Sequence, residues 1–188
     1  MVKVLIGATG SVASVKIPLI VSELSKCKNA VVKVVSTKHA LHFFDREQLK
    51  KDTGVAVLTD EDEWNLWNVM SDPVLHIELR NWADVFIICP LDANTLSKIA
   101  NGLCDNLITC ILRAWPQSKQ VIVSPAMNTN MWEHPFTEKH LKVLVDELHM
   151  EVIPPVSKKL ACGDTGVGAM AEVPTIVNYV KMKFGLTE

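Results

Sequence analysis

The sequence predicts an α/β fold: one domain over residues 1–188, three layers α/β/α, with a mostly parallel sheet. Three observations predict it. Apolar runs such as "VKVLIG" (2–7), "DVFIICP" (84–90) and "KQVIVSP" (119–125) are continuous rather than alternating, as in strands covered on both faces. Amphipathic helical stretches alternate with these runs, which is the signature of parallel strands joined by crossover helices. At 188 residues the chain suits one domain, and no linker, repeat or low-complexity segment divides it.

Taken in order, "VKVLIG" is the first strand, and "GATGS" turns it into a helix over "VASVKIPLIVSELSK". "AVVKVVST" (30–37) is a second strand, "HALHFF" (39–44) a helical turn and "VAVLTD" (55–60) a third, short strand. Residues 61–83 read as irregular: acidic, tryptophan-rich and broken by Asp72-Pro73. After the strand at 84–90, residues 91–115 give two helices divided near Gly102, with Asp105 as the expected N-cap of the second. The strand at 119–125 leads into "SPAMNTNMWEHPF" (124–136), a loop rich in apolar and amide groups and poor in charge. A helix over 137–149 follows, with Leu141, Leu144, Val145 and Leu148 on its apolar stripe. A last strand (151–155), a glycine-rich loop (158–172) and a helix (173–184) with Pro174 in its first turn close the chain.

Composition excludes several functions. Hydrophobic residues make up 48% and the formal net charge is −2, an ordinary globular balance with no basic run to grip nucleic acid. No apolar run approaches the length of a membrane span, about 18 residues. The apolar N-terminus lacks a basic leader and reads as a strand, so a cytoplasmic location is expected. The five cysteines are odd in number and show neither C-x-x-C nor zinc spacing, so neither a disulfide framework nor a metal site is expected. Cys89, Cys104 and Cys110 fall in apolar elements and read as small core residues.

In a parallel sheet, ligands sit beyond the carboxyl ends of the strands. Four loops meet that condition: 7–12, 36–43, 90–95 and 124–135. Gly7 and Gly10 permit close backbone approach, although "GATGSV" is neither a dinucleotide fingerprint nor a P-loop and fits a capped turn at Ser11 equally well. In "PLDANTLSK", Asp92 or Asn94 caps a helix, and the row of donors could also face a phosphate. His76, among Val74, Leu75 and Ile77, is structural unless other evidence is added; its ring can move a proton near neutral pH. Asn128 places a carboxamide among apolar groups, where it must find partners or serve a ligand. Cys162 is the only cysteine in a glycine-rich loop, and the three glycines that follow it suit a mobile flap.

Together "GATGSVAS", "DPVLHIELRNWAD", "PLDANTLSKIANGLCDNLITCILRAW", "PAMNTNMWEHP" and "KKLACGDTGVGAMAE" resemble the phosphopantothenoylcysteine decarboxylases, within the homo-oligomeric flavin-containing cysteine decarboxylases. The resemblance runs over about residues 2–184. It implies a Rossmann-like (flavodoxin-like) domain that binds FMN, assembles as a homotrimer with active sites between subunits, and decarboxylates 4′-phosphopantothenoylcysteine through transient thiol oxidation and enethiolate reduction. It places the catalytic roles on His76, Asn128 and Cys162. Flavin contacts fall on Gly10, Ser11, Val12, Thr37, Asp92, Ala93, Asn94, Thr95 and Ala126. Substrate contacts fall on Asn128, Met131, Lys159, Ala161 and Met170. Where the family often carries a second arginine before the tryptophan of the histidine segment, this chain has Asn81. Two other activities share the resemblance: a non-catalytic regulatory relative that binds protein phosphatase, and a decarboxylase of peptidyl cysteine. No membrane or nucleic-acid partner is implied.

Overall fold

The computed structural model describes residues 1–159, 163 and 165–188. Ala161 and Cys162 lie outside the described residues. Six parallel strands form the central sheet in the order β3-β2-β1-β4-β5-β6. They are β1 (Val2–Ala8), β2 (Ala30–Ser36), β3 (Val57–Leu58), β4 (Val85–Leu91), β5 (Gln120–Pro125) and β6 (Glu151–Val152). All seven residues of β4 are buried, as its unbroken apolar run requires of a central strand.

Alternation along the strands sends neighbouring side chains to opposite faces. Val4, Ile6, Ile87 and Ile122 pack beneath α1 (Ile17–Ser25), α2 (Arg46–Thr53) and α9 (Val173–Phe184), through Ile20, Leu24, Leu49, Ile176 and Val180. Leu5, Phe86, Ile88 and Val123 pack beneath α4 (Leu75–Trp82), α5 (Ala93–Ala100) and α6 (Leu107–Arg113), through Leu75, Leu79, Leu96, Ile108 and Ile111. The three-layer α/β/α architecture is therefore the one expected.

Several local expectations change. Residues 61–83 are not irregular: α3 (Asp60–Leu66) and α4 lie on either side of Asp72-Pro73. The third strand is two residues long and is preceded by α2, whose hydrophilic sequence buries only Leu49. Asn106 caps α6, accepting from Thr109 N at 2.9 Å, while Asp105 pairs with Lys98. The helix α8 (Pro135–Lys142) widens into a π-turn over Val143–Glu147. That change of period buries Leu144 and leaves Val145 and Leu148 exposed. Cys89 is in the core, where burial pushes its thiol up to about 12, but Cys104 is exposed and Cys110 half-buried. The glycine-rich segment contains an antiparallel hairpin of β7 (Val156–Lys159) and β8 (Thr165–Ala169). The sixth strand ends at Val152 rather than continuing to residue 155.

Strand order reverses between β1 and β4, so their following loops leave toward opposite faces and open a crevice. One buried side chain spans it. Thr9 Oγ1 donates to Pro90 O and accepts from Asp92 N, both at 2.8 Å. Ser14 Oγ in turn donates to Thr9 O at 2.8 Å. Thr9→Val keeps the shape but strands a buried carbonyl and a part-buried amide. Urea unfolding should show a loss of about 2 kcal/mol, with Thr9→Ser close to wild type. Equal stability of Thr9→Val and wild type would show that the clamp contributes nothing.

Candidate active site

The four loops meet at the carboxyl edge of the sheet. Thr37 N donates to Ala8 O at 3.0 Å, which ties the loop after β2 to the end of β1. Ala126 N donates to Leu91 O at 3.0 Å, which ties the loop after β5 to the end of β4. With the Thr9 clamp, these bonds hold Gly10, Thr37, Asp92 and Ala126 along one rim.

Within that rim Gly10 marks the narrowest approach. A Cβ built there would lie 2.9 Å from His39 Cβ and 3.2 Å from Asp92 Oδ2. Only hydrogen fits, and His39 is a neighbour that sequence reasoning did not single out. Ser11 caps the 3-10 turn Val12–Lys16, its Oγ accepting from Ala13 N at 3.3 Å, while Val12 is exposed. Asp92 caps α5, accepting from Thr95 N at 2.7 Å. The first-turn N–H groups of Ala93 and Asn94 therefore remain without intrahelical partners, facing the positive end of the helix. Thr95 itself is buried and Asn94 exposed. Thr37 Oγ1 accepts from Ala40 N at 3.2 Å.

Asn128 caps the short helix α7 (Thr129–Trp132), its Oδ1 accepting from Asn130 N at 2.8 Å. The hairpin lies against this segment. Met127 N donates to Gly168 O at 2.9 Å. A Cβ at Gly168, whose φ is 143°, would meet Met127 O at 2.3 Å, and one at Gly166 would meet Thr129 Oγ1 at 2.6 Å. These two glycines bring a strand onto the asparagine loop; the sequence reading had assigned them to mobility. Met131 is exposed, and Met170 is buried in the core beside Ala8 and Ala126. Lys159 ends β7. Its neighbour Lys158 is paired with Glu172 at 2.8 Å. Ser124 Oγ and Thr129 Oγ1 are buried with no hydrogen-bond partner among the described residues.

His76 is held by different elements. It sits in the first turn of α4, and its ring Nδ1 lies 2.5 Å from Glu63 Oε1 of α3. Four residues on, Arg80 Nη2 donates to Asn81 Oδ1 at 2.8 Å. Glu63 was missed in the sequence because it lies in an acidic run that reads as a solvated face. Among the described residues no cluster of His, Cys, Asp and Glu could hold a metal ion, and no helix is long and apolar enough to cross a membrane.

The donor set fits a phosphate-bearing planar cofactor: amide donors at Ala93 and Asn94, a glycine cradle at Gly10, and an apolar floor at Ala126. Comparison with known proteins agrees. The sequence profile of the flavoprotein family matches residues 1–185. A probable phosphopantothenoylcysteine decarboxylase of Arabidopsis thaliana is 57% identical over 182 residues, covering 96% of this chain and 87% of the relative. Among solved structures, a cysteine-to-serine variant of a PPC decarboxylase complexed with pantothenoylaminoethenethiol has a TM-score of 0.92 at 53% identity, covering 98% of both chains. An FMN binding protein, also 53% identical, has a TM-score of 0.87 and covers 97% of this chain and 96% of its own. The chain belongs to the flavoprotein family and, within it, to the phosphopantothenoylcysteine decarboxylases.

Proposed function

We propose that this chain binds FMN at the Gly10–Thr37–Asp92–Ala126 rim and decarboxylates 4′-phosphopantothenoylcysteine to 4′-phosphopantetheine and CO2, a step of coenzyme A biosynthesis. The observation that carries the reading is the junction of that rim with the Asn128 loop, where a cofactor cradle and a carboxamide follow the ends of adjacent strands. An N-acyl cysteine carboxylate loses CO2 poorly because the electrons left behind have no sink. Bound FMN supplies that sink by reversible two-electron oxidation of the thiol-bearing carbon, so no external oxidant is consumed.

The chain's own residues do the rest. First-turn amides of α5 and the turn after β1 hold the cofactor phosphate and edge, and the absence of a side chain at residue 10 lets the backbone approach. The Asn128 amide N–H donates to the substrate carboxylate and holds the reacting carbon in place. His76 takes the thiol proton in the first stage. Cys162 returns a proton to the enethiolate after CO2 has left. The bonds described for His76 and for Asn128 run to different elements, and exposed apolar side chains occur in the segments that carry them: Trp64, Trp67 and Met70 before His76, Met131 after Asn128. Both features support a homotrimer in which His76 of one subunit completes a site carried by its neighbour.

Three substitutions test the reading. Gly10→Ala should yield a folded protein purified with little or no flavin, read from visible absorbance. Full occupancy would refute the cradle. Asn128→Asp keeps the α7 cap oxygen but replaces an amide donor by a negative charge, so flavin should be retained and turnover lost. Normal turnover would sink the carboxylate role. With Cys162→Ser, mass spectrometry should find the substrate converted to the oxidised enethiol after CO2 loss. A saturated thiol product at the wild-type rate would exclude Cys162 as the acid.

A further inference from the structure

The acidic run Asp60–Glu63 looks like a solvated helix start, and acids there do favour the positive end of α3. The structure gives three of the four separate tasks. Asp60 Oδ1 accepts from Leu107 N, in the first turn of α6, at 2.6 Å. Asp62 Oδ2 accepts from Thr59 N and Thr59 Oγ1, both at 2.8 Å, closing a capping box. Glu63 turns inward to His76: besides the contact to Nδ1 it accepts from His76 N at 3.3 Å. Only Glu61 is left in solvent.

The first two bonds fix the third. α3 buries no residue of its own, so the capping box and the Asp60 bond to α6 set where Glu63 stands. The side chains of Glu63 and His76 are 13% and 26% exposed, so solvent screens this pair less than an ordinary surface pair. The Cys110 thiol adds no competing charge: burial first, then Glu63, Cys104, Asp60 and Asp105, push it up to about 11.

An ionised carboxylate only accepts hydrogen bonds, so a neutral imidazole beside it carries its proton on Nδ1 and leaves Nε2 as the acceptor. We propose that Glu63 is a positioning residue that fixes His76 in the Nδ1–H tautomer and so makes Nε2 the atom that takes the substrate's thiol proton; this rests on the decarboxylase reading of His76. In that step the S–H bond breaks, Nε2–H forms, and the ring becomes an imidazolium whose charge is balanced by Glu63. In the absence of Glu63 the ring is free to take the other tautomer and present a proton where an acceptor is needed.

The test is nitrogen NMR of the histidine rings in the flavin-loaded protein, with His76 assigned by loss of its signal in His76→Gln. Wild type should show Nδ1–H and an unprotonated Nε2. Glu63→Gln, of the same shape, should shift the ring toward Nε2–H and lower kcat about 100-fold with little change in KM. Glu61→Gln removes the same charge two residues away and should change neither. An Nε2–H tautomer in wild type overturns the proposal, and that measurement stands even if Glu63→Gln fails to fold. So does an unchanged tautomer or an unchanged kcat in folded Glu63→Gln. If wild type does not consume the substrate, the proposed reaction falls, while the tautomer still decides the role of Glu63.

Discussion

The Thr9 hydroxyl is the constraint on which the rim depends. At the crevice where strand order reverses, two neighbouring parallel strands send their chains to opposite sides, and the ladder between them ends at Gly7 and Ile88, short of the loops. Thr9 restores the connection by donating to one loop atom and accepting from the next. Asp92 is thereby held where its carboxylate caps α5, and Gly10 is held against His39 and Asp92. The loops after β2 and β5 are then tied to the ends of β1 and β4 by single backbone bonds. The cofactor site proposed on these four loops would thus inherit the rigidity of the sheet.

The sheet was legible because its central strands are buried on both faces, and burial of that kind leaves a simple mark in sequence. Elements held by something other than burial were not legible. α3 buries none of its residues, and its stability comes from a capping box and a bond to a helix 47 residues later in the chain. α2 buries one leucine. Val145 and Leu148 fit a regular helical stripe, but the π-turn at 143–147 changes the period and carries them outward. In each case a local cap or a tertiary contact outweighed the pattern that periodicity reads.

The site divides along the same line. Gly10, Asp92 and the α5 start could be read because a glycine turn and a helix cap are local devices. Asn128 could be singled out because an amide among methionines is conspicuous, and its capping of α7 accounts for its oxygen. Glu63 could not be found, since its partner is thirteen residues away and its acidic neighbours conceal it. The glycines of β8 were visible, but their purpose was not: close approach to Met127 and Thr129 depends on a pairing that no local pattern encodes.

The chemistry proposed for His76 and Asn128 asks for different surroundings. A base that accepts a thiol proton needs a fixed tautomer and a nearby counter-charge; the atom that grips a carboxylate needs a donor and no negative charge beside it. Placing Glu63 next to Asn128 would set a carboxylate against the substrate's own. In this chain Glu63 is anchored by α3 and α4, and Asn128 by the loop after β5, with separate packing. Trp64, Trp67 and Met70, in the segment before His76, and Met131, in the Asn128 loop, are exposed in one chain. Joining these segments across copies of the chain, as proposed, would cover those surfaces and exclude water from the reacting carbon. It would also let the base and the carboxylate grip approach the substrate from opposite sides, each with the electrostatics its own subunit supplies.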